Sequence, residues 1–163
     1  MKSICFFFQF PHLFSHRRYR FFDIGNDHYY YDDYANETIM RKIADKSYLP
    51  TNRLLLKLLK KLNGKFKVAF SITGVALEQF ELYAPEVIDS FRELNNTGHV
   101  EFLSETYSHS LSSLKNKAIF EEQVKLHDQK IFELFGQKPK VFRNTEMIYS
   151  DDIGAQIYQM GYK

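Results

Sequence analysis

The chain has 163 residues, enough for one domain with a sizeable core and too few for two large ones. Hydrophobic residues at 44% and charged residues at 26% are the balance of a folded protein and exclude a disordered tail. Net charge is only +2, with basic residues spread along the chain, which excludes a nucleic-acid phosphate binder; the lone cysteine, Cys5, excludes a disulfide or thiolate zinc site and suits a reducing, cytoplasmic setting.

The run from Ser3 to Phe10 is continuously apolar and aromatic, which predicts a strand covered on both faces, with Cys5 as a small core residue. Ile4 to Phe8 is too short for the apolar core of a secretory leader. No segment approaches the roughly 18 apolar residues of a membrane span, so no membrane partner is expected. A long segment, Pro11 to Pro50, follows and contains RRYRFFDIGNDHYYYDDYANE. Its length points to a functional loop, with a short helix near Glu37 to Asp45 inside it. Its rings suit either a sugar-stacking surface or an aromatic core. Tyr29, Tyr30, Tyr31 and Tyr34 are read as packing over the fold, with glucan binding as the alternative.

Thr51 and Asn52 are placed to cap RLLLKLLKKLNG, whose leucines form one stripe and whose Gly64 ends it. A second strand, Phe66 to Thr73, stops at Gly74, and one broken helix or two short ones lead to Gly98. The third strand is His99 to Thr106, followed by a helix from Asn116 to Phe135 with Gly136 at its end. A fourth strand, Val141 to Asn144, precedes a last helix that starts at Ser150 with Asp151 and Asp152 in its first turn. This alternation predicts an α/β fold with parallel strands and outer helices. The chain stops where another strand is due, so residues 1–163 are expected to be an N-terminal fragment of a larger domain.

Sites in such folds form at the C-terminal ends of strands. Glu105 shares its face with Leu103 and Glu101, while Val100, Phe102 and Ser104 face the helices. An inward carboxylate is costly unless it is used or paired, and the pairing alternative is an ion pair with Arg143. His109 is either a hydrogen-bonded structural residue or a ligand contact. Glu78, after Gly74, is either a helix N-terminal charge or a substrate contact.

The stretches MKSICFFFQF, RYRFFDIGNDHYYYDDYANE, KFKVAFSITG, VEFLSETYSHSL and KPKVFRNTEMIYSDDIGAQIYQMGYK resemble the N-terminal part of glycoside hydrolase family 57, close to its α-amylase-like members. The resemblance covers essentially the whole chain and is most specific at VEFLSETYSHSL and FRNTE. It implies an incomplete (β/α)7 barrel of the glycoside hydrolase/deacetylase type, a retaining mechanism, and an α-glucan such as starch, glycogen or maltodextrin as substrate, with no metal or other cofactor. Glu105 matches the family's nucleophile. Glu78 matches a substrate-contacting glutamate, and His12, Tyr107, His109 and Arg143 are the remaining candidate substrate-binding residues. A retaining glycosidase needs a second carboxyl about 5 Å from the nucleophile.

Two departures stand out. Where the family carries His-Gln-Pro after the first strand, this chain has Pro11, His12 and Leu13, so His12 stands one position along, a slip that turns a side chain to the opposite face; a pair of compensating frame errors across codons 10 to 16 is the hypothesis that resequencing tests. The family's acid/base aspartate belongs beyond Lys163, so the chain alone is expected to lack glycosidase activity. The alternatives are a non-catalytic glucan-binding homologue and a polysaccharide deacetylase. For the deacetylase, His109-Ser110-Leu111-Ser112-Ser113 supplies one histidine of a His-Ser-x-x-His motif and lacks the second.

Overall fold

The computed structural model of the protein describes residues 5–162. In chain order it contains β1 (Phe7–Phe10), α1 (Asp33–Ile43), α2 (Leu49–Leu62), β2 (Val68–Ile72), α3 (Gly74–Tyr83), α4 (Pro85–Asn95), β3 (Val100–Phe102), α5 (Lys117–Phe135) and α6 (Asp151–Gln159). The sheet is parallel in the order β1-β2-β3, with Phe8 opposite Phe70 and Phe70 opposite Phe102. Each connection between strands carries helices, as parallel pairing requires. The predicted α/β arrangement, parallel strands with helices outside, is the one observed.

Strand parity sorts the side chains. Phe10, Phe70, Phe91 and Phe102 are buried together on the helix side, and Phe102 stacks on Phe135 with ring centroids 4.2 Å apart. Complete burial of each such ring contributes about 1.5–3 kcal/mol. These phenylalanines are therefore core. The tyrosines of the first long loop are not: Tyr29, Tyr30, Tyr31 and Tyr34 are exposed, contrary to the packing expectation. Tyr29 to Tyr31 lie on a braced hairpin instead, where Tyr30 packs on Tyr19, Tyr31 on Phe14, and the Arg17 N–H donates to the Tyr30 carbonyl at 3.0 Å, while Tyr34 lies in the first turn of α1.

Other expectations need correction. The first strand begins at Phe7; Ser3 and Ile4 lie outside the described residues. Cys5 is exposed, not a core residue, and Phe7 is also exposed, on the face of β1 turned away from the helices. Thr51 and Asn52 do not cap a helix. Residues 33–62 are one helical path in which a π-helical turn, Ala44–Tyr48, joins α1 to α2, and the Leu49 N–H reaches back to the Ala44 carbonyl. That wide turn lets Pro50, which has no N–H to donate, sit in the first turn of α2. Asn52 is then free to bury its amide, donating to Ser90 Oγ on α4 at 2.8 Å. The fourth strand shrinks to one parallel bridge, Ser104 to Phe142, since among the described residues nothing pairs with its other side.

The remaining punctuation follows the sequence. Thr73, Asn116 and Ser150 cap α3, α5 and α6 with their side-chain oxygens, and Gly136 takes the left-handed conformation after α5.

Candidate active site

The inner face of the sheet, opposite the phenylalanine core, carries polar residues at the strand ends. Glu105 follows β3 by three residues and is completely buried. Its Oε1 accepts the Ser71 hydroxyl of β2 at 2.6 Å. Its Oε2 has no hydrogen-bond partner, and the nearest cationic candidate, His109 Nδ1, is 3.7 Å away. A buried carboxylate oxygen without a donor is an expensive feature that a purely structural residue would avoid. The ion pair with Arg143 is not formed. Arg143 donates from Nη2 to Gln9 Oε1 at 2.8 Å, while its Nε and Nη1, also buried, have no partner.

The backbone of Glu105 is held from the other side. His127, fully buried on α5, lies 2.8 Å from the Ile72 carbonyl through Nε2, which makes Nε2 the donor. Its Nδ1 then accepts the Glu105 N–H at 3.4 Å. One imidazole thus ties the ends of β2 and β3 together beneath the carboxylate.

Tyr107 and Glu78 are a pair. The Tyr107 hydroxyl donates to Glu78 Oε1 at 2.5 Å, and burial first, then this bond, pushes the phenol pKa well above its usual value of 10.0. Glu78 sits in the second turn of α3 with its carboxylate committed to Tyr107, so it is not a first-turn helix charge. The Tyr107 ring lies so close over Gly74 that a Cβ there would be 2.3 Å from two ring carbons. Gly74 is therefore needed for the approach of the ring and not for its own backbone angle.

His109 and Glu146 meet at 2.8 Å through Nε2 and Oε1. His109 has φ 54°, Glu146 φ 53° and Met147 φ 58°, three non-glycine residues in the left-handed region. Each costs about 1–2 kcal/mol. Such strain concentrates where geometry serves a site. His12, in the loop after β1, is half-buried, and burial lowers its pKa from 6.5; its carbonyl accepts from Gln79 Nε2 at 3.1 Å. No hydrogen bond joins its side chain to Glu105 among the described residues. An apolar groove of about 580 Å³, walled by Phe7, Leu103, Phe142 and Ile153, reaches Arg143 but not Glu105.

The structure brings Glu105, His109 and Ser71 together, sets Arg143 at Gln9, and pairs Tyr107 with Glu78. Sequence reasoning missed Ser71 and His127. Ser71 was findable as the polar residue on the inward parity of VAFSI. His127 was findable as the one polar member of the stripe Phe120, Val124, His127, Ile131, all four fully buried. Among the described residues no group of three or more His, Cys, Asp or Glu side chains is arranged to hold a metal ion.

The chain is similar in sequence and fold to known proteins. A model of glycosyl hydrolase family 57 matches residues 11–163. A protein of Methanocaldococcus jannaschii named "Putative alpha-amylase" is 43% identical over 135 residues, which is 82% of this chain and 28% of that protein. Among solved structures, the 4-alpha-glucanotransferase of Thermococcus litoralis superposes with a TM-score of 0.67 at 19% identity, over 78% of this chain and 19% of that one. A GH57 branching enzyme of Thermococcus kodakaraensis, solved in complex with glucose, gives 0.64 at 13% identity, over 98% of this chain and 38% of that one. The likeness to these two structures fixes the architecture as part of a (β/α) barrel, and the chain corresponds to a part of each of the three proteins.

Proposed function

The chain belongs to glycosyl hydrolase family 57, and from that premise we propose that it forms the N-terminal part of a retaining, α-glucan-active barrel with Glu105 as the nucleophile. The observation that supports this reading best is the state of the Glu105 carboxylate: fully buried, one oxygen held by Ser71, the other without a donor. That is the arrangement of a carboxylate oriented for attack with one oxygen kept free. In the proposed reaction this free oxygen bonds to the anomeric carbon of an α-linked glucosyl unit as the glycosidic bond breaks. A second carboxyl protonates the departing oxygen. We place that acid/base aspartate outside residues 1–163.

The remaining candidates take substrate-binding roles. Arg143 offers two unpartnered N–H groups to sugar hydroxyls beside Gln9. Tyr107 and Glu78 form a fixed polar wall, and His109 faces the free oxygen of Glu105. His12 lies in the loop entering the site and gains no direct support from its contacts. We place the protein in the cytoplasm, where α-glucan stores such as glycogen or maltodextrins would be its partners. No helix among the described residues is long and apolar enough to cross a membrane.

The test uses α-maltosyl fluoride, whose fluoride departs without a general acid. On that placement of the acid, the 163-residue chain should leave starch and glycogen unchanged. With maltosyl fluoride it should release about one fluoride per protein and stop, since no base activates water to free the sugar. Glu105→Gln should release none. Turnover of glycogen by the wild-type chain, or equal fluoride release by the variant, refutes the assignment.

A second reading has its own observation. Tyr29, Phe21 and Phe22 on the hairpin and Tyr34 at the start of α1 are exposed by 53%, 80%, 83% and 83%, an unusual density of uncovered rings. A glucan-binding role without catalysis predicts retarded migration in a glycogen gel that Glu105→Gln leaves intact and Phe21→Ala with Phe22→Ala abolishes.

A further inference from the structure

We propose that Glu146 is a positioning residue for Glu105 and acts through the ring of His109. The proposal rests on the reading of Glu105 as nucleophile and adds a residue to that site. Four observations carry it. Glu146 Oε1 lies 2.8 Å from His109 Nε2, which makes Nε2 the donor to a carboxylate and turns Nδ1 the other way. Nδ1 is buried, has no hydrogen-bond partner, and faces the equally unpartnered Oε2 of Glu105 at 3.7 Å. Both members of the pair are held on left-handed backbone, as is Met147, although none of the three is glycine. The two loops are also joined next to the pair by the Thr106 and Thr145 hydroxyls at 2.8 Å.

The 3.7 Å gap is too long for a direct hydrogen bond and leaves two orphaned polar atoms facing one another. Both atoms are acceptors in this tautomer, so a sugar hydroxyl placed between them gives its one hydrogen to Nδ1 and leaves Oε2 free to attack. With Oε1 of Glu105 held by Ser71, Oε2 is the attacking oxygen. The hydroxyl adjacent to the anomeric carbon is the one that lies beside a nucleophile in a retaining site. His109 Nδ1 accepts it, and Glu146 keeps the ring from turning away. Glu146 itself is exposed and touches neither Glu105 nor the sugar, so its effect passes entirely through His109.

Left-handed backbone supplies a test in which folding and function move in opposite directions. Glu146→Gly removes the carboxylate but suits φ 53°, so the protein stays folded with its melting temperature unchanged or higher. Met147→Gly relieves the same kind of strain and keeps the carboxylate. Two readouts are taken on the 163-residue chain: the ¹⁵N resonances of the His109 ring, assigned with His109→Gln, and the rate of labelling by α-maltosyl fluoride. Glu146→Gly and Glu146→Gln should shift both ring nitrogens and slow labelling by about tenfold or more, the scale of a misplaced reacting group. Met147→Gly should change neither. Ring resonances that stay in place in both Glu146 variants overturn the proposal, and so does a moved ring with an unchanged labelling rate. Absence of labelling in the wild-type chain refutes the nucleophile assignment itself and the proposal with it, whereas labelling that is normal in wild type and in both Glu146 variants refutes only the latter.

Discussion

Replacing Gly74 by alanine tests the packing that fixes Tyr107. The new Cβ would sit 2.3 Å from Cδ2 and Cε2 of the Tyr107 ring, far inside contact distance. The ring cannot yield freely, because its hydroxyl is bonded to Glu78 and its carbonyl accepts the Val75 N–H at 3.2 Å. Overpacking of this kind costs about 1–3 kcal/mol. If the ring swings out, the bond to the Glu78 carboxylate goes with it, at about 1.5–3 kcal/mol. Alanine in place of glycine at the start of a helix returns at most about 1 kcal/mol. By either route the net loss is roughly 1–3 kcal/mol. For a chain of this size that lowers Tm by roughly 2–12 °C. In a Tyr107→Ala background the obstacle is absent, so Gly74→Ala should be neutral or stabilising by up to about 1 kcal/mol. Urea unfolding of the four proteins of this cycle measures the coupling. A Gly74→Ala penalty that is the same in both backgrounds would refute the reasoning.

Glu105→Gln removes a buried carboxylate that has no cationic partner and keeps an oxygen for Ser71, so it should unfold at equal or higher urea than wild type, by up to about 2 kcal/mol; a loss of stability contradicts the account. His127→Leu leaves the Ile72 carbonyl and the Glu105 N–H buried and unpaired, and should cost about 2–4 kcal/mol in the same assay. His12 has its pKa lowered by burial, so the unfolded chain takes up the proton first as pH falls through 6.5. Its contribution to stability is present above that pH and is lost below it. His12→Gln should therefore flatten the decline in stability between about pH 7 and pH 5, measured as Tm against pH; an unchanged slope contradicts it.

The sequence was most legible where local chemistry and tertiary demand agree. Asn116, Gly136 and Ser150 mark helix ends because a side-chain oxygen or a left-handed residue is needed there wherever the helix packs. The inward parity of Leu103 and Glu105 followed from the period of a strand and survived even though regular pairing ends at Phe102. Pro50 misled, because a proline ordinarily closes a helical reading, and only the π turn before it lets the helix run through. Val141 to Asn144 reads as a strand in its residues but has a pairing partner on one side only, which sequence does not encode. The link from Glu146 to Glu105 was illegible for a different reason: it depends on φ angles at His109 and Glu146 that non-glycine residues seldom adopt.

The central claim is that Glu105 is the residue that bonds to the sugar. After reaction of the 163-residue chain with α-maltosyl fluoride, acid quench and proteolysis, the mass of each peptide locates the attached maltosyl group. The account predicts one label, on Glu105 in the VEFLSETYSHSL segment. A label on Glu78 or Glu146, or on no carboxylate in a chain that has released fluoride, would contradict it.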